Sequence, residues 1–315
     1  MSEEDKKEYK ENLKSIKKKA AKLAKLIRKS KYVVIHTGAG ISTSAGIPDY
    51  RGPNGLWTCL DQNRETPVVD KPWNLLEPTN CHMTIATLLQ RGLVKHLVSQ
   101  NTDGLHLHSG VPLEKISELH GNSNKEYCKD CQSEYFRPFR CRTSREVHDH
   151  QTGRKCDKCG GKLYDSIINF GENLSEKQIN SAYLHSKKAD LSIVLGTSLR
   201  VTPAADLPMI NVKKQKGKMV IVNLQKTPLD DYASIRVFGR TDQFCFYLMR
   251  ELEIPVPTFK QALELRAKKR REKLQLTEKE EKKQKIQEYK FFQQTPKSLF
   301  LLDYYEEEIH KKTKK

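Results

Sequence analysis

Residues 33–57 read VVIHTGAGISTSAGIPDYRGPNGLW. The apolar, β-branched run from Tyr32 to His36 reads as a buried parallel strand. It breaks at Gly38-Ala39-Gly40, where small residues permit a tight turn and a close approach of backbone N–H groups to phosphate. Ser42, Thr43 and Ser44 follow as N-cap and phosphate-contact residues for a helix expected to open at this turn. Thr43 stands where the dinucleotide fingerprint G-x-G-x-x-G carries its third glycine, so the glycine pair alone fits a structural turn equally well. The next segment, Ile47-Pro48-Asp49-Tyr50-Arg51-Gly52-Pro53, is too rich in Pro and Gly for helix or strand. It sets an acid, an aromatic and a guanidinium side by side, as a loop covering a ligand would.

Outward from this stretch, charge divides the 315-residue chain into three parts. The net charge is +18, but residues 1–31 hold twelve Lys/Arg against five Asp/Glu, and residues 258–315 hold seventeen against ten. A near-neutral middle therefore carries two basic arms. Basic arms suit nucleic acid, acidic chromatin surfaces or an acidic membrane, and also suit plain solubility. No apolar run reaches the ~18 residues of a transmembrane helix, and the opening MSEEDKKEYK has no signal-peptide core. The expectation is a soluble, intracellular protein with no membrane partner.

Apolar spacing predicts an amphipathic helix over residues 6–29, with Leu13, Ile16, Ala20, Leu23, Ala24 and Ile27 on one face. Thr79 is expected to cap a helix to about Gln90, ended by Gly92. Strands are expected at 94–99, 116–119, 191–195, 219–222 and 235–238, with helices at 175–188 and 242–252. Strands alternating with helices make an α/β, doubly wound parallel sheet of Rossmann type. Ligands bind such sheets at the carboxyl ends of the strands. Gln100, Asn101, Asp103, Gly196, Ser198 and Asn223 are thus expected to converge on the Gly38 loop.

Cys128-x-x-Cys131 and Cys156-x-x-Cys159 are separated by twenty-four residues. Two such knuckles make a tetrahedral Cys₄ zinc site, because each two-residue spacing turns both sulfurs toward one ion. Disulfides suit an intracellular chain poorly, and a redox CxxC would explain one pair only. Four thiolates leave no open position for water, so this zinc is expected to be structural. The basic insertion between the pairs, with His148 and His150, reads as surface, and Cys59, Cys81, Cys141 and Cys245 as ordinary thiols.

GAGIS, GIPDYRG and GLW, followed by QNTDGLH, ELHGN, two CxxC pairs, FGE, GTSL and VIVNLQ, stand in one order over residues 31–254. This series resembles the sirtuins, NAD-dependent protein-lysine deacylases, and RGPNGLWT with QTGRKCDKCG resembles their class IV branch. Tyr50 is a departure, since most sirtuins carry Phe there. The resemblance implies a catalytic domain at 31–257 with a zinc module inserted at about 122–164, flanked by a basic helix at 1–30 and an extension at 258–315. It implies NAD as co-substrate, with the pyrophosphate against Gly38, Ala39, Gly40 and Ser198 and the adenosine ribose near Asn223 and Gln225. Ile47 and Asp49 would hold the nicotinamide carboxamide beside Asn101 and Asp103. Ser42, Thr43, Tyr50, Arg51, Trp57, Gln100, Gly196 and Thr241 complete the implied cofactor contacts. His120 would be the general base on the ribose hydroxyls, with Asn101 and Asp103 catalytic beside it. The implied products are free lysine, nicotinamide and O-acyl-ADP-ribose. Histone tails are the expected acyl-lysine substrate, nucleosomal DNA or RNA the expected partner of the arms, and nucleus or nucleolus the expected location. Protein mono-ADP-ribosyl transfer and a chromatin- or RNA-binding scaffold are the alternatives.

Overall fold

The computed structural model describes residues 6–274 except 70, 145 and 216. These residues form two compact units, one within Met1–His120 and Gly171–Val256, the other within Gly121–Phe170 and Pro257–Lys315.

The first unit is built on a six-stranded parallel sheet. In chain order its elements begin with α1 (Leu13–Lys29), β1 (Val33–Thr37), α2 (Leu56–Asp61), α3 (Asn80–Gln90), β2 (His96–Ser99), α4 (Leu105–Ser109) and β3 (Ile116–Glu118). The second unit contributes β4 (Lys125–Cys128), β5 (Glu134–Phe136), β6 (Gln151–Lys155) and β7 (Lys162–Asp165). The first unit resumes with α5 (Glu176–Lys188), β8 (Leu191–Leu195), α6 (Ile210–Gln215), β9 (Lys218–Val222), β10 (Ile235–Val237) and α7 (Thr241–Leu252), and α8 (Phe259–Leu274) follows. The parallel sheet runs β10-β9-β8-β1-β2-β3. The chain lays strands to one side of β1, then crosses back to lay the rest on the other. That is the strand order of the dinucleotide-binding doubly wound fold, and its reversal lies between β1 and β8.

Burial follows the pleat. Val33 and Ile35 enter one core with Leu23, Ile27, Leu88, Phe244 and Leu248, whereas Val34 enters the opposite core with Val98, Ala182 and Leu207. Val220 and Val222 join the first core; Met219 and Ile221 face the other side. Strands covered by helices on both faces explain the unbroken apolar runs.

The helix expected over 6–29 begins only at Leu13. Asn12 caps it by accepting from the Ser15 backbone N–H at 2.9 Å. From Lys7 to that cap the chain is not helical, because the Tyr9 and Glu11 N–H groups are used by the Leu224 and Phe238 carbonyls, each at 2.8 Å. Ile16, Ala20, Leu23, Ala24 and Ile27 are buried against α7, so the apolar stripe is a core face. The helix expected after Gly40 does not form. Two 3₁₀ turns, Ala39–Ile41 and Thr43–Ala45, stand there, and neither has a side-chain cap. The Ser42 hydroxyl donates to Asp103 instead, and Gly46 in the left-handed region (φ 91°) ends the second turn. In the extension expected at 258–315, Phe259–Leu274 is helical, and residues 275–315 lie outside the described residues.

In the second unit β5-β4-β7-β6 form an antiparallel sheet. The fully buried Glu126 carboxylate accepts from Arg137 and Arg154, each at 2.7 Å, which offsets the cost of burying its charge. The basic residues of this insertion are thus partly structural. Among the described residues no helix is long and apolar enough to cross a membrane.

Candidate active site and metal centre

Parallel strands deliver their carboxyl ends to one edge, and the residues singled out from sequence gather there. Gly38 donates its N–H to the Leu195 carbonyl at 3.2 Å, and Gly40 to the Gly196 carbonyl at 2.9 Å. A Cβ on Gly38 would lie 2.6 Å from that of Thr197, and one on Gly40 would lie 2.9 Å from the Gly196 Cα. Gly196 itself has φ +61°. The glycines therefore let the loops after β1 and β8 touch backbone to backbone, and this contact locates the crevice.

On the β2 side the side chains interlock. Ser42 Oγ, wholly buried, donates to Asp103 Oδ2 at 2.7 Å and accepts from Asn101 Nδ2 at 3.3 Å. Asp103 Oδ1 accepts from the Leu105 N–H at 2.9 Å, which anchors the start of α4. Gln100 Nε2 donates to Thr197 Oγ1 at 3.0 Å, tying the β2 end to the β8 end. The Gln100 carbonyl lies 3.0 Å from His120 Nδ1. A carbonyl only accepts, so Nδ1 carries the proton and Nε2 is the basic nitrogen. Burial lowers the His120 pKa from its ordinary value, opposed by the bond to the Gln100 carbonyl. The ring is therefore neutral near pH 7, as a base must be.

The Pro/Gly-rich loop is ordered by its own backbone. Leu56 and Trp57 donate to the Asp49 and Tyr50 carbonyls, each at 2.9 Å. Tyr50 and Trp57 stack with centroids 6.2 Å apart. Burial raises the Asp49 carboxyl, opposed by the Gly52 N–H that it accepts at 3.0 Å. Arg51 is lowered by burial and by the Arg200 guanidinium. Ile47 follows this turn directly, its N–H donating to the Ser42 carbonyl at 3.4 Å. At the β9 end, Asn223 Nδ2 donates to the Gln225 carbonyl at 3.0 Å. Gln225 Nε2 donates to the Arg51 carbonyl at 2.8 Å and the Lys6 carbonyl at 2.9 Å. Thr43 Oγ1 turns back to the Gly40 carbonyl at 3.3 Å, Ser198 is partly exposed just beyond β8, and Thr241 is buried at the start of α7.

Asp242 was missed. Its Oδ1 accepts from the Cys81 N–H at 2.7 Å and its Oδ2 from the Ser44 hydroxyl, which joins α7, α3 and the second 3₁₀ turn. An acid in the first turn of a helix was the available sign. Thr37 was missed as well: wholly buried at the end of β1, its hydroxyl meets His106 Nε2 at 2.9 Å. Nothing in an apolar strand pattern flags such a partner.

In the second unit the sulfurs of Cys128, Cys131, Cys156 and Cys159 all lie within 4.8 Å of one another. Cys128 Sγ is 3.5 Å from Cys159 Sγ, and Cys131 Sγ is 3.5 Å from Cys156 Sγ. Tetrahedral zinc with bonds of about 2.3 Å sets its sulfurs roughly 3.8 Å apart, so the four thiolates are positioned to bind one zinc ion. Gly161 keeps the knuckle tight: a Cβ there would lie 2.1 Å from Asp130 Oδ2 and 3.1 Å from Cys128 Sγ.

A doubly wound sheet, a glycine contact at its switch point and a closed Cys₄ centre define an α/β dinucleotide-binding protein with a structural metal module. The Sir2 family profile matches residues 38–203, just over half of the chain, and the chain belongs to this family. It is 46% identical over 243 residues to the NAD-dependent protein deacetylase SRT1 of Arabidopsis thaliana, a match covering 76% of this chain and 50% of that protein. It is 44% identical over 248 residues to the NAD-dependent protein deacetylase sirtuin-7 of Homo sapiens, covering 76% and 62%. The chain thus spans half to three-fifths of the length of these relatives. Among solved structures, a Sir2–p53 peptide–NAD+ complex is similar with TM-score 0.57 and 34% identity, covering 73% of this chain and 97% of that one.

Proposed function

We propose that the chain is an NAD-dependent protein-lysine deacylase acting on histones or other chromatin-associated proteins. The observation that carries this reading is the cluster of Ser42, Asn101, Asp103, Gln100 and His120 at the strand ends beside the Gly38–Gly196 contact. NAD, when bound, supplies the electrophilic ribose carbon and nicotinamide as leaving group. The Gly38–Gly40 turn and Ser198 hold its pyrophosphate, and Asn223 holds the adenosine ribose. Ile47 and Asp49 orient the carboxamide, while Asn101 and Asp103, fixed through Ser42, shape the floor beneath it. Thr43, Tyr50, Arg51, Trp57, Gly196, Gln225 and Thr241 line the same crevice. His120 Nε2 takes a proton from a ribose hydroxyl, and the imidazolium is steadied by the Gln100 carbonyl. Zinc holds the module formed by about 122–164 within a catalytic domain of 31–257 and stays out of the chemistry.

The basic side chains of the arms act outside this site. Lysines on the polar face of α1 and the Lys268-Lys269-Arg270-Arg271 run suit phosphate-rich partners, and the run also suits a nuclear or nucleolar address. The test is incubation with NAD and acylated histone peptides, followed by mass spectrometry. O-acyl-ADP-ribose and free lysine in equal yield are expected. ADP-ribosylated protein without O-acyl-ADP-ribose would overturn deacylation in favour of transfer.

A further inference from the structure

Residues 6–11 lie across the carboxyl ends of two strands. Glu8 pairs antiparallel with Gln225, and the Tyr9 N–H donates to the Leu224 carbonyl at 2.8 Å. Glu11 is the anchor. Its N–H donates to the Phe238 carbonyl, and its Oε1 accepts from the Phe238 N–H, both at 2.8 Å. The same carboxylate accepts from Lys19 Nζ at 2.6 Å and Ser15 Oγ at 2.5 Å, tying the segment to α1. Tyr9 packs on the Phe238 ring, with centroids 5.4 Å apart. The segment is therefore held at both ends of its length by backbone, ring and carboxylate contacts.

Gln225 links this segment to the signature loop. It is 7% exposed, and its single amide nitrogen donates to Lys6 O and to Arg51 O. An amide nitrogen has two hydrogens, so these two carbonyls use its donor capacity in full. Losing either partner would leave a buried donor unmet, at a cost of roughly 1–3 kcal/mol. The position of the 47–57 loop is thus tied to whether the N-terminal segment is seated.

We propose that residues 6–11 are a strap that sets cofactor affinity, with Gln225 as the positioning residue transmitting its seating to the Arg51 loop. This rests on the reading of the crevice as the cofactor site. When the strap is seated, the loop is preorganised and binding does not have to order it. When the strap is displaced, Gln225 loses the Lys6 carbonyl that helps fix its amide, the Arg51 loop hangs from a freer tether, and the cofactor meets a less ordered wall. The reacting residues Asn101, Asp103 and His120 hang from other strands and keep their geometry.

The test compares the full chain with a variant lacking residues 1–11, with Glu11→Ala, and with Tyr9→Ala, which removes the ring packed on Phe238. ADP-ribose affinity is measured by calorimetry, and NAD KM and kcat by product formation. Each variant is expected to bind ADP-ribose and to show NAD KM weakened by about fivefold to tenfold, with kcat nearly unchanged. Glu11→Ala combined with Tyr9→Ala should be no worse than the stronger single change, since both unseat one segment. A general loss of folded protein would lower kcat and leave KM alone, so that result overturns the strap, as would unchanged affinity or additive losses. If the unaltered chain binds ADP-ribose but yields no deacylation, the functional reading fails while the affinity comparison still decides the strap. If it binds neither NAD nor ADP-ribose, both fall together.

Discussion

His120 is one of ten histidines, and its surroundings separate it from the rest. It is only partly buried, and one nitrogen is oriented by a carbonyl while the other is left for chemistry. Because its folded value is lowered, the neutral base persists to more acidic pH than a free imidazole would. We expect kcat/KM to fall on the acid side with an apparent pKa below 6.5, and His120→Ala or His120→Tyr to remove turnover while leaving the melting temperature close to wild type. Near-normal turnover in either variant would remove the base assignment. The position of this residue was legible through ELHGN, but its tautomer was not, since that depends on a carbonyl twenty residues away. The glycines taught a related lesson. Gly38 and Gly40, expected to bring backbone N–H groups close to phosphate, also make room for Gly196 and Thr197. Composition reveals that side chains are absent without revealing what occupies the space.

Elements with strong periodicity were read well, and α1 shows both the success and its limit. Its buried stripe was legible because an apolar residue at every third or fourth position leaves one solution, packing on a core. Its start was misplaced because lysine and glutamate favour helix equally at 6–12, and only the Leu224 and Phe238 carbonyls draw that segment away from helix. Leu23 is wholly buried in the stripe, so Leu23→Ala should destabilise the first unit by about 2–5 kcal/mol, read as a shift in urea midpoint. A shift under 0.5 kcal/mol would mean that α1 is dispensable. The strands of the zinc module were not foreseen, since charged and polar residues interrupt them (KEYC, EYF, QTGRK, KLYD) and no apolar run marks them as the buried strands of the parallel sheet are marked. The metal site itself was plain from spacing. Replacing any one of its four cysteines with Ser should release zinc, lower the melting temperature and reduce activity indirectly; metal analysis and calorimetry on the same samples check this. Full activity in zinc-free protein would refute the role.

For the molecule as a whole, acid is the condition to which the fold is most exposed. Burial pushes His36, His82, His96 and His106 down to about 3, reinforced at His82 by His108, at His96 by His185 and His36, and at His106 by His82. Among the described residues, neither ring nitrogen of His36 has a hydrogen-bond partner. Each ring stays neutral in the folded chain and protonates near pH 6.5 once unfolded, so the unfolded state binds more protons between pH 6.5 and about 3. Stability is complete above pH 6.5 and is lost as pH falls, by up to ~1.4 kcal/mol per pH unit for each ring. Several rings acting together rival a typical total stability of about 5–15 kcal/mol, so we expect cooperative unfolding well above pH 4. Denaturation midpoints measured from pH 7.5 to 4.5 would show it; a flat profile would mean that these rings accept protons in place. The arms make their own prediction. With the exposed Lys14, Lys18, Lys22 and Lys25 of α1 and the run Lys268, Lys269, Arg270 and Arg271 all changed to Gln, nucleosome affinity and its salt slope should both fall, because fewer counterions are released; an unchanged slope removes the tether. The two outermost strands of the parallel sheet, β3 and β10, are its shortest at three residues each, and the carbonyl of Phe238, just past β10, is already taken by Glu11. A border that brief and partly occupied offers a neighbouring chain little ladder to extend. Two copies of this protein meeting in a crowded cell would find little purchase along the parallel sheet, which would remain private to each.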